Sequence, residues 1–219
     1  MSNSAIDRVD PQGVLREGVE AYEAAATGQT RSTFFKRGGA LAGAGLALGA
    51  VPAGFAIAQG GLPKGDVKIL NYALTLEFLE AAFYAEAVKK GQLSGGQATL
   101  AKTLAEHEQA HVDALKKTLG SKAVDSPKVD FKDATGKAKF IATSVVLEDT
   151  GVSAYQGQAP NIKTGAVLAA AGSILAVEAR HAAWARYLAG KQPAPDSFEM
   201  PQDMQAILKA VKGTGFLKG

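Results

Sequence analysis

The sequence predicts an all-α protein: a four-helix bundle made of two antiparallel hairpins joined by one long crossover, followed by a short C-terminal helix. Three observations carry this prediction. Long segments lack Pro and are rich in residues that favour helices. A Glu followed by a Glu-x-x-His motif occurs twice. One of the three connections between the predicted helices is much longer than the other two.

Composition bounds the class of protein before any motif is considered. A chain of 219 residues can bury one sizeable core, so one domain with a tail is expected. The net charge is only +3 and the Lys residues are scattered, which excludes a basic surface for nucleic acid. The absence of Cys excludes thiol catalysis, iron–sulfur clusters and disulfides.

The first segment, residues 1–60, is predicted to be a leader with an export signal or anchor. Basic residues precede an uncharged run from Gly38 to Gly61, and Ala56-Ile57-Ala58 fits a signal cleavage site. This pattern predicts an exported protein of the periplasm or cell envelope. Thr30 to Lys36 resembles a twin-arginine motif, but Ser32 replaces the second Arg, so the general secretory route stays open. If uncleaved, residues 31–60 would be the only membrane contact; an unstructured linker is the other alternative.

The second segment, residues 64–190, holds the four helices, each predicted from its capping and stop signals. Residues 191–219 form a tail with a short amphipathic helix over about 201–212. The predicted bundle helices run from Asp66 to about Lys90, from Ser94 to Thr118 or Leu119, from about Ala134 to Gln158, and from Asn161 or Thr164 to Leu188 or Ala189.

Connection lengths determine the predicted topology. The first and third connections are short, so each joins an antiparallel pair. The middle connection has about 14 residues and, when extended, reaches ~45 Å. A 25-residue helix is about 37 Å long, so this connection can return along the whole bundle and set the second and third helices parallel.

The candidate metal ligands are six residues in two matching sets, related by offsets of 71 (148 − 77) and 70 (178 − 108) residues. Positions i and i+3 share a helix face, so each Glu-x-x-His motif offers a carboxylate and an imidazole to one point. Their neighbours on that face are apolar, and buried carboxylates require partners or metal ions. The predicted ligands are Glu77, Glu108, His111, Glu148, Glu178 and His181.

Each hairpin also places its ligands at one height. Residues at equal distances from a turn lie at the same level of an antiparallel pair. Glu77 and Glu108 are centred on the first turn, and Glu148 and Glu178 are centred on the third. We therefore expect a centre for two metal ions, with Glu108 and Glu178 bridging them and the other two glutamates binding one ion each. This ligand chemistry suits iron or manganese, and also zinc.

Residues near these ligands have more than one interpretation. Tyr84 and Tyr155 each follow a candidate ligand glutamate by seven residues, so they lie on the same face of the helix. They are either candidates for a catalytic redox or hydrogen-bonding role or core tyrosines with satisfied hydroxyls. Glu80 is either a ligand or, as favoured here, a solvent-facing or salt-bridged residue. His107 either hydrogen-bonds a ligand or lies at an exposed edge.

Four segments together resemble the ferritin-like domain family that includes exported bacterial proteins and plant desiccation-related proteins. The resemblance covers about residues 64–190 and implies a di-iron or other di-metal centre at the six positions above. The segments are DVKILNYALTLEFLEAAFYAEAV, LAEHEQAHVDAL, FIATSVVLEDTGVSAYQG and ILAVEARHAAWAR.

The family resemblance implies two Fe ions, with Mn as the alternative, and oxidation of Fe(II) by O₂ or peroxide in stress protection. A dimanganese catalase-like enzyme is one alternative function. A non-catalytic stress or envelope protein with a structural metal site is another. The apolar outer face of the first helix predicts packing against the C-terminal helix or against a second subunit in a homo-oligomer. This face carries Tyr72, Phe78, Leu79 and Phe83.

Overall fold

A computed structural model describes residues 61–218, and the predicted leader, residues 1–60, lies outside the described residues. Most of the described residues lie in helices, and one isolated antiparallel bridge joins Val129 and Leu217. The predicted all-α bundle with a short C-terminal helix is confirmed. Its helices are α1 (Lys64–Lys90), α2 (Gly95–Leu119), α3 (Phe140–Gln158), α4 (Gly165–Leu188) and α5 (Met204–Gly213).

Two antiparallel hairpins form the bundle, since α1 packs chiefly on α2 and α3 packs chiefly on α4. The turn after α1 begins at Gly91, whose left-handed conformation (φ 62°) ends the helix, as a Gly at this position favours. Both short connections therefore behave as their lengths predict.

The long connection runs along α1 from Asn71 to Lys90. At its start, the side chain of Asn71 donates to Lys122 O and accepts from Val124 N, both at 2.9 Å. At its other end, Lys90 Nζ donates to Thr135 Oγ1 at 2.6 Å. The chain thus travels from the first turns of α1 to its last residue, which makes α2 and α3 parallel, as the loop length predicts.

Helix α3 begins later than the sequence predicts, at Phe140 instead of about Ala134. Residues 132–139 instead form successive turns, with Gly136 N bonded to Asp133 O at 3.0 Å. Thr135, in this stretch, donates to Glu86 at 2.8 Å while accepting from Lys90. These hydrogen bonds to the end of α1 stabilise the turns in place of helical hydrogen bonds. A helix through this segment would be weakened by Gly136.

The tail packs against the bundle. Ile207 and Val211 on α5 are buried in one apolar cluster with Phe83 of α1 and Phe131 of the long connection. The predicted apolar outer face of α1 is therefore covered within the chain. Oligomerisation stays a prediction.

Among residues 61–218, α4 is the one helix long and apolar enough to cross a membrane, with a mean hydropathy of 1.2. Within the bundle, Glu178 and His181 lie on its buried side. The other residues on that buried side are apolar, namely Val167, Ala170, Ile174, Ala182 and Ala185.

Candidate metal centre

Each bundle helix places one of the four predicted glutamates, completely buried, in the middle of the bundle. The glutamates are Glu77 on α1, Glu108 on α2, Glu148 on α3 and Glu178 on α4. Two apolar clusters flank this layer, and Tyr84 belongs to one while Tyr155 belongs to the other. Four carboxylates excluded from water in this way require compensating charge.

His111 faces three of these carboxylates through one ring nitrogen. Its Nδ1 lies 3.1 Å from Glu77 Oε2, 2.9 Å from Glu108 Oε2 and 3.2 Å from Glu178 Oε1. The three oxygens come from three different helices. They converge on one point, as the ligands of a metal ion do.

His181 repeats this arrangement in the other half. Its Nδ1 lies 2.9 Å from Glu108 Oε1, 3.2 Å from Glu148 Oε2 and 3.9 Å from Glu178 Oε1. All six predicted residues are thus brought together. They form two buried groups, each able to hold a metal ion, and Glu108 and Glu178 belong to both groups. A glutamate that bridges two ions must belong to both groups, and Glu108 and Glu178 do.

The residues fit a pair of divalent cations. Several buried atoms of the cluster lack a hydrogen-bond partner although they are close to other polar atoms: Glu108 Oε1, Glu148 Oε2, both carboxylate oxygens of Glu178, and His181 Nδ1. Atoms that are close together but poorly aligned for hydrogen bonds are suited to coordinate a common ion. Four carboxylates also balance the charge of two divalent cations.

The two tyrosines cross between the hairpins. Tyr84 on α1 donates to Glu148 on α3, and Tyr155 on α3 donates to Glu77 on α1. Burial and the adjacent carboxylate raise the pKa of each phenol well above its usual value, which keeps it a neutral donor. The tyrosines therefore orient the two glutamates expected to bind one ion each. A redox role stays a prediction.

Glu80 departs from the favoured sequence interpretation, because it is buried rather than solvent-facing or salt-bridged. A Cβ at Gly151 would lie 2.9 Å from Glu178 Oε2 and 3.3 Å from Glu80 Oε1, so both carboxylates occupy space that a side chain would fill. The sequence signal was the position of Glu80 one turn after Glu77 on the same apolar helix. The role of Gly151 had no sequence signal beyond its lower helix propensity.

His107 combines both predicted roles. It is exposed at the edge of α2, and its Nδ1 lies 2.9 Å from Nε2 of His181. This contact holds the ring nitrogen of His181 that faces away from the carboxylates, so it fixes the orientation of the imidazole. The counterpart of His107 in the second half, 70 residues later, is Val177. The two halves therefore differ at this point.

The charges of the cluster are strongly interdependent. Burial raises the pKa of Glu108 to about 7, although the adjacent imidazoles of His111 and His181 oppose the rise. Burial and neighbouring carboxylates raise the pKa of Glu178 and of Glu80 well above the usual value. Burial alone would lower the pKa of His181, but Glu108 and Glu148 raise it to about 10. Without metal, the cluster therefore retains protons at neutral pH, and binding of cations must displace them.

Comparison with known proteins agrees with this geometry. The model of the ferritin-like domain family matches residues 65–191, which hold all six candidate ligands. No curated protein matches the chain.

Proposed function

The chain belongs to the ferritin-like domain family, and from this premise we propose that its bundle binds two iron ions and oxidises Fe(II) with O₂ or peroxide. The proposal depends chiefly on one observation: two buried Glu/His groups share Glu108 and Glu178. Two Fe(II) ions held by shared carboxylates would supply two electrons, which together with two protons reduce one O₂ to peroxide or one peroxide to two waters. Protection against iron and peroxide stress is the proposed physiological role.

In this proposal some side chains bind the two ions, and others orient the residues that bind them. Glu108 and Glu178 would hold both ions, while Glu77 and Glu148 would each hold one. Tyr155 orients Glu77, and Tyr84 orients Glu148. The apolar clusters on either side exclude bulk water, which strengthens the interactions of the carboxylates with the cations. His107 keeps His181 in the orientation that its Nδ1 requires.

Metal content tests the site. We expect two ions per chain in protein purified without added metal and analysed by elemental mass spectrometry. Glu108→Ala should lose both ions, because Glu108 belongs to both groups. Glu106→Ala is the matched control, since Glu106 is an exposed Glu on the same helix. Unchanged content in Glu108→Ala would refute a shared centre.

Activity and metal identity distinguish the proposal from its alternatives. Anaerobic protein loaded with Fe(II) should oxidise it faster than buffer does when O₂ or peroxide is added. Release of O₂ from peroxide by manganese-loaded protein would favour the catalase-like alternative. Metal that raises the melting temperature, with Fe(II) oxidation at the background rate, would favour the structural alternative.

Export is part of the proposal and rests on residues 31–60. Cell fractionation and N-terminal sequencing of the mature protein test it. We expect the protein in the periplasm or envelope with a new N-terminus after Ala58. Full-length protein in the cytoplasm would contradict export.

A further inference from the structure

A partly open apolar cavity lies between the helices at the end of the bundle where α1 and α4 begin. The centres of water-sized molecules can occupy about 20 Å³ of it. One water needs roughly 10–15 Å³ on this measure, so the space suits a molecule of one or two heavy atoms. Side chains from all four bundle helices line it, including Leu70, Leu76, Leu115, Tyr155, Val167 and Ala170.

The apolar lining of the cavity favours an apolar ligand. Almost no polar surface faces the cavity, although the side chains of Tyr72, Thr118 and Gln158 contribute to its wall. A water needs two to four polar partners to enter a buried site, and apolar cavities stay dry but bind apolar gases. The size and chemistry together fit an apolar diatomic molecule better than water, peroxide or an organic substrate.

Tyr155 separates this cavity from the candidate metal centre. Its side chain forms part of the cavity wall, and its hydroxyl donates to Glu77, one of the expected ligands. Leu76, another wall residue, directly precedes Glu77 in α1. A molecule in the cavity is therefore one tyrosine side chain away from the carboxylate layer.

We propose that this cavity binds dioxygen and supplies it to the metal centre, past Tyr155. The inference rests on the proposed function, because it names the oxidant of that same centre and the place from which the oxidant arrives. Peroxide is polar and forms hydrogen bonds, so it has no reason to enter an apolar cavity and must reach the ions by another route.

Xenon tests the cavity without any metal or activity. Crystals of the full-length protein pressurised with xenon should show one bound atom contacting Tyr155, Val167 and Ala170. Ala170→Val adds methyl groups to the cavity wall and should abolish the site. Ala114→Val is the matched control, because Ala114 is equally buried in the same apolar cluster but does not line the cavity. Absence of xenon, or an ordered water in its place, would overturn the proposal.

Kinetics test delivery to the metal centre. Oxidation of bound Fe(II) by O₂ should slow several-fold in Ala170→Val, while oxidation by peroxide should keep its wild-type rate. Ala114→Val should leave both rates unchanged. An O₂ rate unaffected by Ala170→Val, or an equal loss with both oxidants, would overturn delivery through this cavity.

Failure of this inference is distinguishable from failure of the proposed function. If wild-type protein binds xenon but does not oxidise Fe(II), the proposed function fails and the gas site stands without a role in delivery. If wild-type protein oxidises Fe(II) and no xenon binds, the proposed function stands and the gas site is wrong.

Discussion

Glu80 and Glu86 demonstrate that residue type alone does not decide the role of a glutamate in this chain. Both lie on α1, six residues apart. Glu80 is buried beside the carboxylate layer. Glu86 is half-exposed and pairs with Lys90 at 2.7 Å. The helix face decides between them, because only the inward face lacks water to solvate a charge.

His107 makes the two candidate metal sites unequal. Removal of a residue that orients a metal-binding His typically lowers metal affinity roughly 10–100-fold. We therefore expect His107→Ala to lower the binding affinity for one of the two ions by about this factor. The affinity for the other ion should stay nearly unchanged. Competition titration with a chelator measures both affinities. Gln109→Ala, an exposed neighbour on α2, is the control; equal weakening of both ions in His107→Ala would contradict the assignment.

The protons of the metal-free cluster predict an unusual dependence of stability on pH. The folded-state pKa of Glu108 is raised from 4.5 to about 7, and that of His181 from 6.5 to about 10. A group whose pKa is higher in the folded state than in the unfolded state stabilises the fold when it is protonated. This stabilisation is complete below the unfolded-state pKa and is lost as pH rises through the folded-state pKa. The metal-free protein should therefore lose stability progressively between about pH 5 and pH 10.

Calorimetry of metal-free and metal-loaded protein at several pH values measures this effect. We expect the melting temperature of the metal-free form to fall by several degrees from pH 6 to pH 9, because both groups must release protons in a buried site. Bound cations replace those protons, so the loaded form should depend less on pH. A melting temperature of the metal-free form that rises over this range would contradict the assigned pKa directions.

At the scale of the elements, Asp66 connects two helices that are distant in sequence. The sequence predicts it as the cap of α1, but α1 begins at Lys64 and its N-cap position is Pro63. The buried Asp66 carboxylate instead accepts from Lys163 N and Thr164 N, both at 2.9 Å, where α4 begins. Burial alone would raise the pKa of Asp66, but the hydrogen bonds from Thr164 and Lys163 lower it.

Removal of this carboxylate should destabilise the whole bundle. Asp66→Ala removes the acceptor of two part-buried backbone N–H groups, so we expect a total loss of about 1–3 kcal/mol. Urea unfolding monitored by circular dichroism measures the loss. Asp125→Ala, at an exposed position, should change the free energy of unfolding by less than ~0.5 kcal/mol. Equal effects of the two variants would show that Asp66 does not link α1 to α4 energetically.

At the scale of the whole molecule, the tail is part of the fold although the family match ends at residue 191. Phe216 O accepts from Asp130 N at 2.8 Å, and Lys128 O accepts from Lys218 N at 2.9 Å. The rings of Phe131 and Phe216 pack edge to face, with centroids 5.3 Å apart. The tail thus secures the long connection against α1.

Two adjacent residues on α5 test how much this packing contributes. Ile207 is completely buried, whereas Leu208 is 41% exposed. Ile207→Ala should lower the free energy of unfolding by about 2–5 kcal/mol, because it leaves a cavity in the core. Leu208→Ala should cost less than ~1 kcal/mol. A small effect of Ile207→Ala in denaturant unfolding would mean that the tail is only loosely attached.

The sequence by itself determined the topology, the helices apart from the start of α3, and the six converging candidate ligands. It could do so because helical spacing and loop length are local properties: positions i and i+3 share a face wherever the helix lies, and a connection of given length has a fixed reach. The matching offsets of the two halves then placed Glu77, Glu108, Glu148 and Glu178 at one level without coordinates.

Only the tertiary structure decided the contacts between residues that are distant in sequence and belong to different hairpins. The crossed pairs of Tyr84 with Glu148 and of Tyr155 with Glu77, the link from Asp66 to the start of α4, and the cavity below Tyr155 all depend on how the two hairpins are placed against each other. Such placement is set by packing summed over many side chains, so no local pattern in the sequence specifies it.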